Sequence, residues 1–258
     1  MPCLTPILLH RTDPVSGLEI HEFVPCGKCE GCLKIKQSFW ISRLMVENMY
    51  SVSSYFVTLT YDTPHLPVPI GVNKSDLQKF FKRLRHDVSF RYFLVSEYGG
   101  IHGRPHYHLL LFFDKELGII QLSRLLEKSW PLGKHCIGLV DISSISYCAK
   151  YCLKPKKDPT GLYFAKTFAL MSRRPAIGYR FLEEDVSQYV DNDIFEFSCF
   201  GRVFNMPRYY RDKLFDDDQK ASHRLKMQEK YNDYNKDLLD NDERYYKRLA
   251  FEQKQKDM

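Results

Sequence analysis

Apolar positions change their spacing several times along the chain, and each change marks an element. Residues 54–61 (SYFVTLTY) are β-branched and aromatic, which predicts a strand. Residues 75–87 place Leu77, Phe80, Phe81 and Leu84 on one face of a helix behind a Ser/Asp start. A second strand follows over 91–97 (RYFLVSE), and the glycine-rich stretch after it turns into a third over 106–113. The unbroken run Leu109 to Phe113 calls for burial on both sides of that strand. Residues 121–130 return to helical spacing, and 136–142 read as a fourth strand.

The order β-α-β-β-α-β is that of a split βαβ, or ferredoxin-like, α+β fold. It predicts an antiparallel sheet with helices on one face and the first and third strands central. A helix over 143–154 follows the fourth strand, with Ser143 or Ser144 as N-cap and Pro155 as its stop. Ahead of the sheet, residues 1–34 are punctuated by Pro, Gly and Cys, which reads as an extended or metal-tied segment. Residues 33–50 carry Phe39, Trp40, Leu44 and Val46 as an amphipathic helix. Beyond Lys157 the periodicity weakens to a basic loop at 171–178 and a short strand at 198–204. From Pro207 the chain is charge-dense and reads as a solvated, frayed helix. The expected organisation is a Cys-containing segment and helix (1–53), a core domain (54–206) and a charged helical tail (207–258).

Composition narrows the partners only modestly. A chain of 258 residues that is 44% hydrophobic can bury a proper core, and a formal charge of +6 suits a polyanion without requiring one. Eight cysteines behind an N-terminus with no leader-like pattern read as reduced, cytosolic thiols. The longest apolar runs fall far short of the ~20 residues that span a bilayer, so no membrane role is expected.

The chemistry gathers in three short stretches. His106 and His108 share a strand face, because side chains alternate with period two, and a hairpin brings Glu97 beside them. Two imidazoles and a carboxylate leave coordination positions open, as a catalytic metal requires. Ligand preference alone favours a borderline transition ion, whereas phosphate chemistry favours Mg²⁺ or Mn²⁺. Tyr147 and Tyr151 stack on one helix face, and each is followed three residues later by a lysine, Lys150 and Lys154. A phenol with a pKa near 10 needs such a cation or a base to act as a nucleophile. Paired phenols suit a reaction that makes one phosphoester while breaking another. Cys26, Cys29 and Cys32 form C-x2-C-x2-C, and Cys3 can complete a four-thiolate zinc site. Arg104, Arg173 and Arg174 are the expected phosphate contacts.

Phe56-Val57-Thr58-Leu59-Thr60-Tyr61, Gly103-Arg104-Pro105-His106-Tyr107-His108 and Tyr147-Cys148-Ala149-Lys150-Tyr151 together resemble the three motifs of HUH rolling-circle replication initiators. The set is most similar to initiators of small single-stranded-DNA bacteriophages, the Microviridae, in their gokushovirus branch. Pro25 to Cys32 and Ser172 to Gly178 also look typical of that branch. The resemblance implies an HUH-type fold and a metal-dependent endonuclease and strand transferase. It would nick one strand of single-stranded or supercoiled phage origin DNA, form a 5′-phosphotyrosine link, and leave a 3′-hydroxyl. It implies Mg²⁺ or Mn²⁺ on His106, His108 and Glu97, and Tyr147 and Tyr151 as alternating nucleophiles. A host helicase and polymerase would be partners, in the host bacterial cytoplasm. A plasmid relaxase or transposase of the same superfamily, or a non-catalytic single-strand binder on the same sheet, are the alternatives.

Overall fold

The computed structural model describes Cys3 and residues 5–12, 17–99, 103–151 and 165–239. In chain order it has β1 (Ile7–Thr12), β2 (Glu19–Val24), α1 (Glu30–Met49), β3 (Ser53–Tyr61), α2 (Lys74–Asp87), β4 (Arg91–Tyr98) and β5 (Pro105–Phe113). Then come α3 (Ile119–Ser129), β6 (Gly133–Leu139), α4 (Ile142–Tyr151), β7 (Ala169–Met171), α5 (Ser187–Asp191), β8 (Glu196–Cys199), β9 (Arg202–Asn205), α6 (Arg208–Leu214) and α7 (Asp217–Leu239). Two compact units share the chain. One is Met1–Phe39 with Val186–Phe197 and Asn205–Met258, and the other is Trp40–Asp185 with Ser198–Phe204.

The second unit is built on a five-stranded sheet in the order β6-β3-β5-β4-β7, with every pair antiparallel. The four strands expected from the sequence therefore take the split βαβ order, with β3 and β5 inside. The fifth strand, β7, lies within and just before what reads in the sequence as a basic loop. It pairs Ala169 to Val95 and Met171 to Phe93 at the edge of β4.

Helices cover both faces of this sheet, which corrects the expectation of one. On one face Leu77, Phe80, Phe81 and Leu84 of α2 and Leu122 and Leu126 of α3 pack with Val57, Leu59, Leu109 and Leu111. On the other, Trp40 of α1 meets the Phe93 ring at 5.2 Å, and α4 lies against β4 and β5. The cause is legible in the burial pattern. Phe93 to Tyr98 and Leu109 to Phe113 are buried at consecutive positions, and a strand buried on alternate sides needs cover on each.

Two boundaries also differ from the expected ones. β6 begins at Gly133, opposite Tyr61, because the backbones approach there so closely that a Cβ on Gly133 would sit 2.1 Å from the Thr60 carbonyl oxygen. The cap of α4 is Asp141, not Ser143 or Ser144. The Ser144 amide donates to Asp141 Oδ1 at 2.7 Å, and the Asp141 amide donates back to Ser144 Oγ at 2.9 Å, a reciprocal capping box. The described part of α4 ends at Tyr151, so Cys152, Lys154 and Pro155 lie outside the described residues.

In the other unit, residues expected to be irregular form the β1-β2 hairpin. Ile7, Leu8 and Leu9 are all substantially exposed, so no buried face imposes an alternating pattern for the sequence to display. Back in the sheet-bearing unit, the expected strand at 198–204 falls in a β8-β9 hairpin whose two-residue turn holds Phe200 and Gly201 at φ 48° and 69°. The charge-dense tail is helical through Leu239, the last described residue.

Candidate functional site

Strand register sets the site. Glu97 stands opposite His106 across β4-β5, and Thr58 stands opposite His108 across β3-β5. All four point away from the α2-α3 core, because Tyr107 between the histidines points into it. His106 Nδ1 donates to the Arg104 carbonyl at 2.6 Å, and since a carbonyl only accepts, the proton belongs on Nδ1 and the lone pair on Nε2. His108 Nδ1 is 3.1 Å from Thr58 Oγ1, and its ring lies stacked 5.7 Å from Phe56. Its Nε2 faces Glu97 Oε2 at 3.4 Å.

Helix α4 brings a phenol to the same point. The Tyr147 hydroxyl donates to Glu97 Oε2 at 2.6 Å and lies 3.5 Å from His108 Nε2. Burial, then the Glu97 hydrogen bond, push this phenol well above its ordinary value of 10.0. Tyr151 is one helical turn on, its ring 4.6 Å from that of Tyr147. Lys150 is exposed on α4, and Cys148 is fully buried as a packing residue.

The arginines are not gathered there. Arg104 donates to the Tyr61 carbonyl at 2.7 Å and to Thr63 Oγ1 at 3.3 Å, closing the end of β3 onto the β4-β5 hairpin. Arg173 and Arg174 are exposed on a loop that Arg91 holds through the Pro175 and Ala176 carbonyls at 3.0 and 2.9 Å. That loop lies at the start of β4, roughly 20 Å along the strand from Glu97. Thr58 and Phe56 are the residues that residue-type reasoning left without a role. The signal for them is register, since alternation puts both on the His108 face once β3 is paired to β5.

A second cluster lies in the other unit. Cys3, Cys26, Cys29 and Cys32 bring their sulfurs within 4.8 Å of one another. The Cys29–Cys3 separation is 3.7 Å and Cys26–Cys32 is 4.0 Å. Four sulfurs at 2.3 Å from a tetrahedral zinc would be about 3.8 Å apart. Burial acts against ionisation of Cys26, yet the Thr5 hydroxyl and the Lys28 and Cys29 amides hold its thiol down to about 6. Burial pushes the Cys3 and Cys32 thiols up.

The fold and these clusters define an α+β protein whose antiparallel sheet carries histidines, a carboxylate and a helix-borne phenol at one end. Residues 54–156 of the chain match the family described as Replication-associated protein ORF2/G2P. It is 27% identical to Replication-associated protein ORF2 of Spiroplasma virus 4, over 83% of this chain and 80% of that relative. It is 27% identical to Replication-associated protein VP4 of Bdellovibrio phage phiMH2K, over 82% of this chain and 76% of the relative. Replication-associated protein ORF4 of Chlamydia phage 1 is 26% identical over 74% of this chain, which spans about half of that relative (53%). Among solved structures, the hypothetical protein ORF119 of Sulfolobus islandicus rod-shaped virus 1 is 25% identical over 46% of this chain and 95% of its own, with a TM-score of 0.30. No described helix is long and apolar enough to cross a membrane.

Proposed function

We propose that this phage replication-associated protein is an HUH-type initiator of rolling-circle replication, cutting and rejoining one DNA strand through tyrosine. The observation that carries the reading is the meeting of Tyr147, Glu97 and His108, with O···O and O···N distances of 2.6 and 3.5 Å. The family and its phage relatives make origin DNA the natural substrate.

In donor type, two imidazoles and a carboxylate suit a divalent cation; His108 Nε2 lies 3.4 Å from Glu97 Oε2, and the His106 and His108 ring centres are 6.4 Å apart. His106 has its Nε2 lone pair free of the Arg104 contact, His108 Nε2 faces Glu97, and Glu97 supplies the carboxylate. Mg²⁺ or Mn²⁺ held by these three would polarise the scissile phosphodiester and offset its charge. The chain does the rest. Tyr147 Oη attacks phosphorus, its proton passes to the Glu97 carboxylate that already accepts its hydrogen bond, and the P–O3′ bond breaks; O3′ takes up a proton from solvent water, leaving a 3′-hydroxyl and a 5′-phosphotyrosine. Tyr151, on the same helix face, serves the return transfer, and Lys150 and Lys154 add positive charge for the phosphate. A host polymerase would extend the 3′-hydroxyl and a host helicase open the duplex, in the bacterial cytoplasm. Arg104 fastens the hairpin, and Arg173 and Arg174 contact phosphates away from the nick. The four cysteines hold a structural zinc, which their spacing and amide-to-sulfur hydrogen bonds favour.

Denaturing electrophoresis of the protein with a labelled single-stranded origin oligonucleotide and Mg²⁺ or Mn²⁺ tests the reading. A denaturant-resistant band that disappears in the Tyr147→Phe/Tyr151→Phe variant is expected. A chain that binds the oligonucleotide but never links to it is a binder, not a nickase.

A further inference from the structure

Beside the proposed nick site, on the opposite side of the same strands, lies a groove of about 490 Å³. Its position follows from alternation. Glu97 faces the histidines, and its neighbour Tyr98 points the other way, donating to the Ala165 carbonyl at 2.6 Å and accepting the Val72 amide at 3.2 Å. The segment before α2 forms one wall, and Ala165 to Phe168 forms the other. Phe168 is tied to Ser96, the residue before Glu97, by hydrogen bonds of 2.7 and 2.9 Å. The groove therefore opens next to the carboxylate end of β4.

Its chemistry is cationic and aromatic. Lys74 and Lys166 are both exposed, no carboxylate lines the groove among the described residues, and Lys74 Nζ sits 4.9 Å from the centre of the Phe168 ring. Val68 and Ile70 on the facing wall are 96% and 45% exposed, apolar surface left open to solvent. Cations spaced along a groove with a ring face and apolar contacts between them match a sugar-phosphate backbone carrying unstacked bases. A polypeptide partner would be expected to meet carboxylates or a larger apolar face.

We infer that this groove is a subsite for single-stranded DNA, in which Lys74 and Lys166 hold phosphates and a base stacks on Phe168 while the strand passes the sheet end to Tyr147. The subsite rests on the proposed nicking function and extends it to the nucleotides flanking the reacting phosphate. Recognition here is of backbone and base faces, so it does not depend on sequence.

The test is fluorescence anisotropy of the full chain with fluorescein-labelled oligo(dT) in divalent-free buffer, so that binding alone is read. Lys74→Gln/Lys166→Gln is expected to weaken binding about tenfold and to lower the slope of log affinity against log salt by about 1.4, the value for two phosphate contacts on a single strand. Lys82→Gln/Lys115→Gln, which removes two exposed lysines outside the groove, is expected to leave both near native values. Phe168→Leu should weaken binding about fivefold or more, with Phe168→Tyr restoring it. Crosslinking of an iodouracil-substituted oligonucleotide should fall on residues 67–74 or 165–168. Crosslinks confined elsewhere, or a lysine variant with native affinity and salt slope, overturn the subsite. If that variant still forms the tyrosine adduct, the nicking function stands without the subsite. A native chain that fails to bind oligo(dT) at all overturns the subsite, while the adduct assay with origin DNA decides the nicking function.

Discussion

Tyr147 hydrogen-bonds Glu97 at 2.6 Å across 50 residues of sequence, whereas Tyr151 meets the site through the Tyr147 ring, 4.6 Å away. The two phenols are thus inequivalent, and under the proposed nicking function Tyr147 would cut first. Tyr147→Phe is expected to reduce the first cleavage roughly a thousandfold or more, while Tyr151→Phe keeps it and loses the rejoining step. Counting adducts and rejoined strands on one denaturing gel separates the two. Equal first-cut rates in both single variants would refute the order.

Thr58 has no reacting atom to contact, and its hydroxyl lies 3.1 Å from His108 Nδ1. As a positioning residue it fixes the ring so that Nε2 faces Glu97. Thr58→Val, close in shape but without the hydroxyl, is expected to weaken Mn²⁺ binding about 10–100-fold, with Thr58→Ser recovering most of it. Titrating Mn²⁺ by electron paramagnetic resonance measures this without turnover. Unchanged affinity in the valine variant would mean that stacking on Phe56 alone orients the ring.

Stability should fall on the alkaline side for a reason unrelated to the site. Burial pushes the Cys199 thiol from its ordinary 9.0 up to about 11. The folded state therefore keeps the proton that the unfolded chain releases. The contribution is full below pH 9 and is lost as pH rises toward 11, in total roughly 2–3 kcal/mol from two pKa units. Urea denaturation at pH 8.5 and pH 11 measures the loss, and Cys199→Ala should reduce it by that amount, leaving the part that the raised Cys3, Cys32 and Tyr147 groups contribute. An equally steep decline in the alanine variant assigns it to other groups.

The proposed zinc predicts one ion per chain, released by a thiol-reactive mercurial and counted with a colorimetric chelator. Cys32→Ser is expected to abolish stoichiometric retention and to lower the melting temperature, because ion binding and local folding are coupled. A purified chain with no bound zinc, and no change in melting on its addition, would leave the cysteines as packed thiols.

The elements most readable in the sequence are those with one buried face. Leu77, Phe80, Phe81 and Leu84 announce α2, and all four are buried as their spacing requires. Alternation also put His106 and His108 on one side, leaving Tyr107 for the core, where its hydroxyl accepts the Asn73 amide at 2.6 Å. What stayed hidden depends on partners distant in the chain. Covering helices on the second face show only as an unbroken apolar run, which is equally consistent with other forms of cover. β7 is three residues long and is defined by its pairing to β4, so it has no period to detect. The cap of α4 was misplaced because Ser143, Ser144 and Asp141 all suit the role, and only the reciprocal bonds of Asp141 and Ser144 decide it. Arg173 and Arg174 sit near the chemistry in composition but not in space.

Tyr107, held between two histidines that face the other way, makes the third core strand intolerant of sliding. Its hydroxyl also meets that of Tyr61 at 3.1 Å, so a slip of one position would drive imidazoles into the apolar layer and turn the phenol out. Insertions or deletions within residues 105–113 should accordingly erase folding and activity in a single event, whereas side-chain replacements there can separate the two. Lineages of this protein are then free to vary what the strand presents, but not how it is counted.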